Sequence, residues 1–252
     1  MKIYYAYTKR LVTSYLFWIA IIGIGAITYF GMTEENSEAV VFAFNVMLDL
    51  STYRKLMMFF AVLPFGMTYC REWNDKYAGF IMARIDSKHH LKAYTIMQFA
   101  SSFTVTFIGI WLGIILLLTQ RPIFIDDGNV YTGCFTALIS QNKAILYLLF
   151  RSFHYAVSIA TWSMSGLAIS SIFLNSYLSV IAPLVFSYGL ELVTIEAPFL
   201  PNLWYLSLSY TDFSKSPFIS SLYIVFVFLI ISIFFAIIFY KIARRRAQNE
   251  IH

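Results

Sequence analysis

Long apolar runs separated by short polar stretches set the frame of this chain. Six runs approach or exceed the roughly 20 residues a helix needs to cross a hydrocarbon core. They lie near 11–31, 52–70, 93–118, 144–173, 178–195 and 218–240. Arg54 and Lys55 trim the start of the second run. Arg151 and His154 fall early in the fourth, so its first two turns are expected in the interface or a wet crevice. One polar stretch has a pattern of its own. Within Arg71–Lys92 (REWNDKYAGFIMARIDSKHHLK), Trp73, Tyr77, Phe80, Ile81 and Ile85 recur at helical spacing, which predicts one amphipathic surface helix. Glu72 and Asp75 in its first turn and Arg84 in its last suit the helix dipole.

Composition turns these runs into a class. The chain has 252 residues, 60% hydrophobic and only 12% charged. A soluble domain of this size cannot hide so much apolar side chain, whereas a multi-span protein presents it to lipid. The expectation is an all-α membrane protein of one domain, 1–252, with six transmembrane helices and both termini cytoplasmic. On that topology the inner pieces 1–10, 71–92 and 241–252 hold twelve of the 18 Lys and Arg but four of the 13 acids. The positive-inside rule fixes the orientation. The net charge of +5 is then a topological signal and no argument for nucleic-acid binding. The first run shows no clear small-x-small cleavage site and is expected to be retained as a span. Tyr4, Tyr5 and Tyr7 beside Lys2, Lys9 and Arg10 suit an interfacial stretch ahead of it.

The connections differ in character. The first outer loop, about 32–51, is acidic, with Glu34, Glu35, Glu38 and Asp49. The second, about 119–143, has a turn-rich stretch around Pro122 and Asp126–Gly128. The third, about 196–217, is too apolar to float free and is expected to fold back on the outer surface or cap a lateral opening. Gly109-x-x-x-Gly113 and Ala156-x-x-x-Ala160 mark close helix contacts, and Pro64 and Pro183 are expected to kink spans two and five. Cys70 and Cys134 fall on opposite sides and cannot pair within one chain.

Catalytic constellations are missing. No glycine is followed by Lys, so there is no P-loop, and H-E-x-x-H is absent. His89 and His90 are adjacent and would diverge by about 100° on a helix, which does not suit a shared metal. Glu34–Glu35 lie in an outer loop, without the partner residues an intramembrane protease needs at span depth. The chain is not expected to be an enzyme, and no metal site is expected. Arg151 and His154 on one face of span four, with Glu191 near the end of span five, have two readings. They could line a gating or substrate path, or, together with Glu196, they could snorkel and pair at the outer boundary, as in an Arg151–Glu191 pair.

With this topology and inner insert, the chain resembles the membrane permease subunits of ABC-2 type exporters. The matching residues are Glu72 followed seven positions later by Gly79, then a basic exit with Ser87, Lys88 and Lys92. The abrupt turn at Leu174–Tyr177 and the aromatic, proline-containing hairpin before the last span also match. The resemblance implies an amphipathic coupling helix between spans two and three. It also implies a second permease copy or paralogue, and separate ATP-binding subunits that hold ATP and Mg, with no cofactor in this chain. The docking element would comprise Glu72, Trp73, Lys76, Gly79, Phe80 and Arg84. Short outer loops and aromatic content are compatible with export of amphipathic or antimicrobial peptides across a bacterial plasma membrane, with membrane lipids as the surrounding partner. Drug or ion efflux within the same family is the alternative, as is a non-transporting scaffold or immunity protein that recruits a cytoplasmic partner.

Overall fold

The computed structural model describes residues 2–34, 38–50, 52–84, 86–125, 133–197, 199–210 and 216–250. Ile85, Glu35 and the turn at Asp126–Gly128 lie outside the described residues. The described chain is helical: α1 (Lys2–Thr13), α2 (Tyr15–Thr33), α3 (Val40–Leu50), α4 (Tyr53–Val62), α5 (Gly66–Asn74), α6 (Tyr77–Arg84), α7 (Ser87–Leu118), α8 (Thr136–Ser140), α9 (Ala144–Ile172), α10 (Ser176–Glu196), α11 (Leu203–Ser207) and α12 (Pro217–Glu250).

Among the described residues, five helices are long and apolar enough to cross a membrane: Tyr15–Thr33, Lys88–Leu118, Ala144–Ile172, Ser176–Glu196 and Pro217–Asn249. The least and the most apolar of them differ sharply in burial. The α9 segment has the lowest hydropathy, 1.3, and is 72% buried, whereas the α12 segment has the highest, 3.1, and is 33% buried. That contrast between α9 and α12 fits a bundle in lipid, where outward faces must be apolar and polar groups are satisfied inside. Helix α9 is the central post. Its hydroxyls Ser163, Ser165, Ser170 and Ser171 donate to carbonyls three residues back. Thr161 donates across to the Phe228 carbonyl of α12 at 3.2 Å.

The Gly109/Gly113 pair does what its spacing predicts. A methyl on Gly109 would meet Ile24 Cβ at 2.7 Å, and one on Gly113 would meet the Gly25 carbonyl oxygen at 2.8 Å. Helices α2 and α7 therefore touch backbone to side chain at these glycines. Pro183 is carried inside the continuous α10.

Three local expectations change. The run 52–70 is not one helix: it breaks over 63–65, around Pro64, whose ring removes an amide and crowds the preceding turn. The α4–α5 pair still runs the length of the bundle. Tyr53 donates to Glu34 beside the end of α2, and Asn74 donates to the Leu174 carbonyl at the opposite end. The acidic loop 32–51 contains α3, an eleven-residue apolar helix with Phe44 and Met47 fully buried. The insert 71–92 is also divided. Lys76 takes the left-handed conformation (φ 57°) between α5 and α6, so Trp73 and Phe80 do not share one helix face.

Helix α1 and the C-terminal end of α12 lie at the same end of the bundle as this insert. Arg10 of α1 reaches Glu72, and Arg246 of α12 donates to the Ile172 carbonyl and lies 5.9 Å from the Trp73 ring.

Candidate functional site

At the end that gathers the insert, α1 and the C-terminal end of α12, helix α5 closes on a buried carboxylate. Glu72 is 3% exposed and accepts from the Arg10 guanidinium of α1 and from the Tyr94 hydroxyl of α7. Beside it, Tyr7 of α1 hydrogen-bonds His90 Nδ1 of α7 at 2.6 Å. The rings of Tyr7, Phe65, Tyr69 and Tyr94 pack edge to face or tilted around this pair. Burial, followed by the Glu72 charge, pushes the Tyr7 hydroxyl well above the ordinary tyrosine range, so it stays protonated as a donor.

Beyond the Lys76 turn, the short α6 carries the exposed part of the insert. Tyr77 is 54% exposed and Phe80 is 70% exposed. Lys76 is exposed at the turn, and Gly79 and Arg84 lie on α6. Then Asp86 caps α7, accepting from the Lys88 amide at 3.2 Å and pairing with His89 at 3.1 Å. That backbone bond, with His89 second, holds the Asp86 carboxyl below the usual carboxylate range. His89 and His90 point apart, the first outward to Asp86 and the second inward to Tyr7.

The predicted docking set thus splits by geometry. Lys76, Tyr77 and Phe80 form the outward surface, whereas Glu72 and Trp73 are the anchored root of the arm. Sequence periodicity passed over Arg10, Tyr94, His90 and Arg246, because their partners are far away along the chain.

At the opposite half of the bundle a second group of charges is buried. Lys55 donates to Glu191 at 2.6 Å, with Ser187 Oγ at 3.3 Å. Arg151 donates to Asp49 at 2.6 Å and to the Tyr147 hydroxyl at 2.7 Å, and also reaches Asn45 Oδ1. Tyr210 closes the same carboxylate from the last loop. An Arg151–Glu191 pair does not form: each residue takes its counter-ion from the α3–α4 region instead. Arg54, also buried, donates to the Leu48 carbonyl and lies 3.7 Å under the Trp204 ring of α11. The third loop does fold back, with Leu206 and Leu208 buried.

His154 stands apart from this network. Its Nδ1 lies 2.6 Å from the Phe150 carbonyl, which only accepts, so Nδ1 carries the proton. Its Nε2 lies 2.8 Å from Ser221 Oγ and ties α9 to α12. The described residues contain no group of three or more His, Cys, Asp or Glu able to hold a metal. Cys70 and Cys134 are both buried, and Cys134 Sγ donates to the Ser209 carbonyl at 3.3 Å. Comparisons with protein-family models, with curated proteins and with solved structures returned no match to this chain.

Proposed function

We propose that this protein is the permease subunit of an ATP-driven exporter of ABC-2 type, with α6 as its coupling helix. One observation carries the reading: a short helix with two exposed aromatic rings projects from the basic end, on a root braced to three other helices. Force applied to α6 would pass through the Lys76 turn into α5. Glu72 would hand it to α1 and α7 through Arg10 and Tyr94, and Trp73 to α12 through Arg246. A surface helix that only sealed a bundle would have no need of such a brace.

In this reading the α4–α5 pair is the sixth span. The end rich in Lys and Arg faces the cytoplasm of a bacterial cell, and both termini are on that side. A second copy or a related permease completes the translocation path, and ATP hydrolysis belongs to separate subunits that bind ATP and Mg. The substrate class proposed is amphipathic peptides. A largely apolar groove of about 430 Å³ between α10, α11 and α12, walled by Leu190, Leu203, Ile230 and Phe234 together with Thr194, supports lateral entry of an apolar face.

The test is co-purification with a candidate ATP-binding subunit, followed by ATPase assay in liposomes. Wild type should retain the subunit and show peptide-stimulated hydrolysis, and Tyr77→Ala/Phe80→Ala should lose both. Full retention by the double variant would refute docking through α6.

A further inference from the structure

The basic end carries a recess unrelated to the docking arm. Between α7 and α12 runs a groove of about 490 Å³ whose floor is Ile96, Ile233, Ala236 and Ile237, with Tyr4 of α1 at one side. The small Ala236 makes the depression, since its neighbours on that face of α12 are branched or aromatic. Three cations edge the groove: Lys92, Lys241 and Arg244. A second, polar recess of about 350 Å³ adjoins it and shares Tyr240, Lys241 and Arg244, adding Arg245 and Gln248. None of these four cations has a carboxylate partner among the described residues. From Ile233 to Arg244 the helix rises about 16 Å, close to the half-thickness of a hydrocarbon core of about 30 Å.

The geometry points to a binding site for one anionic phospholipid. An acyl chain lies in the apolar groove, and the phosphate-bearing head sits in the cationic recess among Lys241, Arg244 and Arg245, with Lys92 on the edge of the groove. Charge complementarity selects this occupant. A neutral lipid would leave the cations of the groove and its adjoining recess uncompensated. The other cations at this end, among them Lys9, Arg71 and Lys88, are exposed and lie off the groove. The inference rests on the membrane reading of the fold and is independent of the exporter proposal.

The experiment is native mass spectrometry of the full chain in detergent with dioleoyl phosphatidylglycerol or dioleoyl phosphatidylcholine, checked by the thermal shift each lipid gives. Wild type should retain phosphatidylglycerol preferentially. Lys92→Gln/Lys241→Gln/Arg244→Gln should lower that preference by roughly fivefold per cation removed. These side chains are exposed or partly exposed, so the variant should fold. Ala236→Phe, which fills the groove with every charge kept, should also weaken retention. The control Lys9→Gln/Arg71→Gln/Lys88→Gln should leave it unchanged. Three results would overturn the site: equal retention of the two lipids by wild type, an unaltered preference in the groove variant, or an equal loss in the control. Competition by soluble glycerophosphoglycerol at the lipid's own concentration would also contradict the groove's part in binding.

Discussion

Glu72 accepts from Arg10 across 62 positions of chain, joining the end of α5 to the helix that precedes the first span. The two partners are unequally buried, 3% exposed for the Glu72 side chain and 50% for Arg10. Removing the buried acceptor should therefore cost more than removing the half-exposed donor. Glu72→Ala strands the Tyr94 hydroxyl and should lower stability by about 1–3 kcal/mol. Arg10→Ala keeps the Tyr94 donor on Glu72 and vacates a half-exposed position that water can fill, so it should cost less, about 1 kcal/mol. Thermal unfolding of both variants in one detergent checks the order; a larger loss for Arg10→Ala would contradict it.

Lys55 and Glu191 form the most enclosed ion pair described, and their energetics should be strongly non-additive. Either Lys55→Met or Glu191→Leu leaves a buried charge without its partner and should cost about 3–5 kcal/mol. The double replacement Lys55→Met/Glu191→Leu should recover most of that loss. A double-mutant cycle reads the coupling directly, and additive losses would mean that the two side chains do not pair.

Close packing of α2 on α7 makes a graded prediction about glycine. Gly109→Val or Gly113→Val forces a branched side chain into contacts already under 3 Å and should destabilise by about 1–3 kcal/mol. Gly189, on α10, has nothing within 4 Å of an added methyl. Gly189→Ala should therefore be neutral or stabilising by up to about 1 kcal/mol.

Asp86 gives the basic end a pH dependence. Its folded pKa lies below the unfolded value, so its capping contribution is present above about pH 4 and fades as pH falls through the folded value. Amide exchange in the first turn of α7 should accelerate below that range in wild type. In Asp86→Ala it should be fast and show much less of that dependence.

Much of this architecture is readable from the chain, because a span must be a long apolar run. The boundaries expected at 144 and 178 fall close to the helix starts at Ala144 and Ser176, where Asn175 supplies a side-chain cap to α10. The breaks at Pro64 and Lys76 have local causes, whereas the other departures come from partners distant in sequence. VVFAFNVMLDL reads as part of an acidic loop, yet it is held as a helix between α2, α4 and α7. Arg54 and Lys55 look like residues that end a span; Trp204 and Glu191 make their burial tolerable. Glu72 sits in a polar stretch, where periodicity places it on a free surface. Its actual environment is set by Tyr94 and Arg10, which no local pattern announces. Periodicity also places Tyr77 and Phe80 on the apolar face of one surface helix; the left-handed turn at Lys76 divides that helix and leaves both rings exposed.

The most direct test of the central claim places a photo-crosslinking benzoylphenylalanine at position 80 and irradiates the native cells. The account predicts a crosslink to a P-loop ATPase, reduced when Tyr77→Ala is added and absent with the probe at position 5 of α1. Crosslinks to lipid alone, or equal capture of the ATPase from both positions, would contradict a coupling role for α6.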